Sequence, residues 1–184
     1  MTATTIATAT ETLSGERRDL LDALAKARFF LRFTARELTD DQARTRSTAS
    51  ELTIGGLIKH VLHVERNWAT FIVEGPASMQ SNDKDWADWT EEDYAEFADS
   101  FRLTESETLA GVLAEYEEVA ARTDALLREL PSLDAIQPLP KAPWFSDSEW
   151  SARRVFVHIV AETTQHSGHA DIIRESIDGQ KSMG

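Results

Sequence analysis

Residues 151–179 read SARRVFVHIVAETTQHSGHADIIRESIDG, an unbroken stretch with the marks of one long helix and with three of the chain's five histidines on it. Ser151 is placed to cap its N-terminus and Gly179 to end it, and no proline lies between them. Val155, Phe156, Ile159, Val160, Ile172, Ile173 and Ile177 recur at near-helical spacing and give it an apolar stripe. At about 100° per residue, His158, Glu162, His166 and His169 fall within an arc of roughly 80°, so four ligand-type side chains line one face. They cannot all share one ion, because a rise of about 1.5 Å per residue sets His158 and His169 roughly 16 Å apart. Glu162 and His166, at i and i+4, are close enough to converge, and E-x-x-x-H is the unit to be explained. The same spacing also serves an ordinary charge-assisted pair on a helix surface.

Three more amphipathic stretches precede it. GERRDLLDALAKARFFLRFTAREL, capped by Ser14, spaces Leu20, Leu21, Leu24, Phe30, Leu31 and Leu38 as a first helix. The polar segment 39–51 breaks that period and reads as a connection. A second helix runs from Thr53 to Gly75 with Leu57, Val61, Val64, Trp68 and Phe71 near one face. His60 and His63 flank that face from its two sides. Residues 79–102 carry Trp86, Trp89, Tyr94, Phe97 and Phe101 among acidic residues, a long excursion with one short helix over 91–99. Those rings either anchor the loop or roof a pocket at the bundle end. Thr104 and Glu107 match a capping box and open a third long helix that ends before Pro131. A stiff connector with Pro138, Pro140, Pro143, Trp144, Phe145 and Trp150 leads into the last helix. Four long amphipathic helices predict an all-α four-helix bundle spanning residues 13–184 as one domain, after a flexible N-terminus at 1–12.

Composition narrows the function. The chain has 184 residues, 41% of them hydrophobic, enough for one real core. A net charge of −13 and no evident basic stripe argue against nucleic acid as a partner. There is no cysteine, which removes disulfides, thiolate metal sites and any protein-borne sulfur nucleophile. The opening MTATTIATAT has neither a basic nor an apolar leader region, and no apolar run approaches the about 18 residues that span a bilayer, so a cytoplasmic protein without membrane attachment is expected.

GGLIKHVLHVERNW, followed much later by ETTQHSGHADIIRESIDG, resembles the DinB-like superfamily, in its actinobacterial branch of mycothiol-dependent enzymes. The resemblance covers residues 15–179. It implies one divalent ion held by one side chain from the second helix and two from the last. Many members use three histidines. In the maleylpyruvate isomerase branch the set is His, Glu and His, and carried over by motif these fall on His60, Glu162 and His166. The sequence as read to Gly184 lacks that branch's additional C-terminal domain, so the resemblance does not carry maleylpyruvate itself over as the substrate. Two imidazoles and a carboxylate with one open position suit zinc first, and also Ni(II), Mn(II) or Fe(II). His63 is the competing ligand on the second helix. His63 and His169 are the candidate catalytic proton shuttles, and His158 is a core or outer-sphere histidine. Arg174 is the candidate cofactor-binding residue, able to meet a carboxylate, against the alternative of an ion pair with its helix neighbours.

The function expected from this set is a metal-dependent mycothiol transferase or isomerase acting on a small electrophile, with the ion holding the thiol as thiolate. Hydrolysis by metal-bound water and a non-enzymatic, stress-related metal-binding bundle are the alternatives. Pairing of bundle faces in a homodimer is compatible with the sequence, which names no interface.

Overall fold

A computed structural model describes residues 13–79, 88–140 and 145–182. The N-terminal stretch 1–12, Trp86, Pro143 and Trp144 lie outside the described residues.

Each long helix begins where a hydroxyl can take up an orphan amide. Ser14 caps α1 (Gly15–Thr34), Thr53 caps α3 (Ile54–Glu74), Thr108 caps α5 (Leu109–Glu129) and Ser151 caps α6 (Ala152–Asp178). Gly179 closes α6 in the left-handed conformation, φ 78°, which only a residue without a side-chain penalty adopts easily. The short helix expected over 91–99 is α4 (Glu91–Asp99), boxed by Thr90 and Asp93.

Helix α6 packs on both α1 and α3, α3 packs on α5, and α5 closes more loosely on α1, completing a four-helix bundle. Its apolar interior is split in two. Leu31, Ile58, Leu62, Val119 and Ile173 belong to one cluster, and Leu24, Phe71, Leu127, Phe156 and Ile159 to the other. Between them lies a buried polar layer of Arg28, Glu65, Thr123, Thr163 and Ser167. Arg28 makes a two-point contact with Glu65, Nη2 to Oε1 at 2.6 Å and Nε to Oε2 at 3.1 Å, and also reaches Asp124 at 2.7 Å. Each large apolar side chain buried in the clusters contributes about 1.5–3 kcal/mol relative to exposure, and the polar layer survives only because its charges are paired.

Five expectations need correction. The first helix, read as far as Leu38, ends at Thr34, and Glu37 beyond it stands at φ 60°. The third long helix starts at Leu109 rather than at the Thr104–Glu107 box, which forms as a separate turn with Glu107 Oε2 accepting from Thr104 N–H at 2.9 Å. Segment 39–51 is not purely a link, because Thr39 and Gln42 cap a five-residue helix, α2 (Asp40–Arg44). The connector before α6 contains an antiparallel ribbon of β1 (Ile136–Pro138) and β2 (Glu149–Ser151), with Gln137 opposite Trp150. Ile172, counted in the apolar stripe of α6, is 65% exposed.

Candidate metal centre

Helices α3 and α6 pack side by side, and three side chains meet at their contact. His60 from α3 and Glu162 and His166 from α6 each offer a ligand atom, and these atoms all lie within 4.8 Å of one another. His166 Nε2 stands 3.5 Å from Glu162 Oε2. The His60 ring meets that of His166 edge-on, with centroids 4.9 Å apart and planes at 84°. All three residues are half-buried, so the cluster is sheltered but reachable.

The electrostatics suit a cation. Burial, then the neighbouring His166, lowers the His60 imidazole from its ordinary 6.5 to about 4, leaving its lone pair available at neutral pH. The contact with His166, against some desolvation, holds the Glu162 carboxyl below its usual range. Two imidazole donors and one carboxylate within this span are a fitting donor set for one divalent ion.

The other histidines have different surroundings. His169 Nδ1 lies 3.4 Å from His166 Nδ1, on the side of that ring away from Glu162. His158 is wedged against Trp68 and Trp150, with ring centroids at 4.9 and 5.1 Å, in the core around the ribbon. His63 is not in the three-residue cluster; burial lowers its pKa first, followed by Arg66 and Lys59, with Glu115 and Glu107 also nearby.

Arg174 requires a correction. It is 1% exposed, and all three of its nitrogens are engaged: Nε and Nη2 with Asp178, and Nη1 with the carbonyls of Thr34 and Arg36 at 2.8 and 2.6 Å. The guanidinium ties the end of α1 to α6, which is the ion-pair alternative and leaves it no approach to a cosubstrate. A neighbour of the cluster that sequence reasoning left open is Phe101, whose ring stacks on His60 at 4.6 Å and 21°. Its only sequence signal was an aromatic residue close before the capping box. The groove between α1 and α5, with Phe29 and Phe33 on its wall, holds none of the histidines, and its arginines are already paired, Arg28 with Glu65 and Asp124 and Arg32 with Glu117.

A family model described as mycothiol S-transferase matches residues 19–179. The chain belongs to the mycothiol S-transferase family. Membership accounts for a thiol and a small molecule as the substrate classes and for a DinB-like bundle as the fold. No curated protein matches this mycothiol S-transferase family member. Among solved structures, a conserved protein from Enterococcus faecalis is similar at 13% identity and a TM-score of 0.67, covering 92% of this chain and 100% of the other. YfiT from Bacillus subtilis, described as "a probable metal-dependent hydrolase with an unusual four-helix bundle topology", is similar at 17% identity and a TM-score of 0.60, covering 89% of each chain. At those identities the likeness speaks for the fold. Among the described residues, no helix is long and apolar enough to cross a membrane.

Proposed function

We propose that this protein is a metal-dependent mycothiol S-transferase whose ion is held by His60, Glu162 and His166. The observation that carries the reading is the convergence of these three side chains from two helices in a member of the transferase family. Zinc is the first choice of ion, since two imidazoles and a carboxylate with an open position match its catalytic sites, and Ni(II), Mn(II) and Fe(II) tolerate the same donors. When bound, such an ion supplies a Lewis acid that holds a thiol as thiolate at neutral pH.

The chain's own residues divide the remaining work. His166 presents Nε2 to the Glu162 side and Nδ1 to His169, so ligation through Nε2 leaves the Nδ1 proton free to be donated to His169. His169 thereby orients the ligand ring and, being half-exposed, gives a proton a route to solvent. Phe101 covers a face of His60 and keeps water from it. In transfer, the S–C bond forms at the acceptor carbon as the leaving group departs with its bonding pair, and the thiol's proton leaves by way of His169. With no cysteine in the chain, the sulfur nucleophile has to arrive on a cosubstrate, and the family match makes mycothiol the thiol proposed.

Hydrolysis with water as nucleophile is the second reading, favoured by the description given to YfiT. Assay of the zinc-loaded protein with an electrophile panel, with and without mycothiol, separates the two. Conjugates that need both mycothiol and an intact His166 support transfer. Ester or amide turnover at the same rate without thiol supports hydrolysis and overturns transfer.

A further inference from the structure

Lys59 precedes His60 on α3, yet its side chain serves another part of the chain. It is 8% exposed, and its ammonium donates to the carbonyl of Asp99 at 2.9 Å, the carbonyl of Arg102 at 3.2 Å and Glu107 Oε2 at 2.9 Å. An ammonium has three donors and no acceptor, so these partners saturate it. Glu107 is fixed in turn, since the same Oε2 accepts from Thr104 N–H and Thr104 Oγ1–H, each at 2.9 Å. One buried cation therefore ties together the last residue of α4, the turn after it and the box before α5.

The tied segment lies directly on α3. A Cβ on Gly56 would stand 2.1 Å from the carbonyl oxygen of Phe101, and one on Gly55 would stand 2.9 Å from Leu103 Cβ. The Gly55–Gly56 pair is what lets the turn approach so closely. Phe101, in the middle of this turn, stacks on His60, and Phe97 meets Phe101 edge-on at 5.1 Å. The imidazole of His60 thus touches two rings, Phe101 stacked upon it and His166 edge-on. The χ2 torsion of a histidine has broad minima, so the direction of its nitrogens depends on such neighbours.

We infer that Lys59 is a positioning residue for the candidate metal centre: it holds the 99–107 turn on α3, and so keeps the Phe101 ring against His60 and sets the direction of that imidazole. As far as it concerns ion binding, this rests on the function proposed above. The orientation of His60 does not depend on it.

The test is histidine-ring NMR of the metal-free protein, joined to zinc affinity by chelator competition, for wild type, Lys59→Met, Lys59→Arg and Phe101→Leu. Ser14→Ala, which removes the α1 cap at a distance from the turn, serves as the control for a general loss of stability. In wild type the His60 ring protons are shifted upfield by Phe101. In Lys59→Met and Phe101→Leu that shift is lost, Lys59→Arg restores part of it, and His158 is unmoved in all of them. Zinc affinity falls about 10–100-fold in Lys59→Met, the range for losing a residue that orients a ligand. If Lys59→Met melts earlier, as Ser14→Ala does, but keeps the wild-type His60 resonances and zinc affinity, the inference is overturned and Lys59 only holds a loop. A wild type that binds no zinc, with His60 still displaced in Lys59→Met, overturns the proposed function and upholds the positioning role.

Discussion

The imidazole of His60, on α3, stands edge-on to that of His166, on α6, with centroids 4.9 Å apart. No hydrogen bond between them is needed to hold this contact, because the packing of α3 on α6 imposes it. An ion shared by the two rings and Glu162 would stitch the two helices together, and so folding and ion binding are linked.

Zinc should raise the melting temperature of wild type and a chelator should reverse the rise. At a free ion concentration of a hundred times Kd, linkage gives about 2.7 kcal/mol. Differential scanning calorimetry of wild type and Glu162→Ala, each with and without zinc, measures it. The increment is expected to vanish in the variant.

The metal-free protein should lose stability in mild acid. His60 is lowered to about 4 by burial and by His166, and His63 and His158 are lowered mainly by burial. Groups depressed in the folded state take up protons first in the unfolded chain, so their contribution is complete above the ordinary 6.5 and is lost as pH falls from there towards 4. Glu162, held below 4.5 by His166, acts in the same direction at lower pH. Urea midpoints at pH 7.5, 6 and 5 should therefore fall in that order, and the His60→Phe variant should show a shallower fall.

Arg28 and Glu65 are 2% and 0% exposed in the middle of the bundle. Removing one partner leaves the other charge buried, which costs about 3–5 kcal/mol. Arg28→Met should approach that loss, whereas Arg28→Met with Glu65→Leu should recover much of it. Chemical denaturation of the two variants tests the difference.

Two glycines in helices should respond oppositely to alanine. At Gly168, exposed on α6, an added Cβ meets nothing within 4 Å, and better helix propensity should stabilise by about 0.5–1 kcal/mol. At Gly56 the same change drives a methyl group into the Phe101 carbonyl, so the protein should melt earlier despite a better helix former. Thermal melts of both variants decide it.

What could be read from the sequence was what is written locally. Ser151 and Gly179 bound α6 because caps act within a turn of themselves, and Glu162 and His166 pair because one helix carries both. The preference for His60 over His63 depends on how α3 is rotated against α6, which no spacing within α3 contains. For Arg174 the local spacing contains the ion pair with Asp178, but not the carbonyls of Thr34 and Arg36 at a distant helix end that bury the guanidinium. Helix α2 and the β1–β2 ribbon, five residues and three per strand, are too short for a periodic signal. The turn carrying Phe101 is set by Lys59 and Gly56, residues whose roles appear only when two parts of the chain meet.

The most direct measurement is a Co(II) titration of the metal-free protein followed by addition of mycothiol, read by visible and near-ultraviolet absorption. The account predicts one Co(II) per chain, absent in His60→Ala and His166→Ala, and a sulfur-to-cobalt charge-transfer band when mycothiol is added to wild type. Co(II) bound equally by both variants, or a wild-type spectrum that mycothiol leaves unchanged, would contradict it.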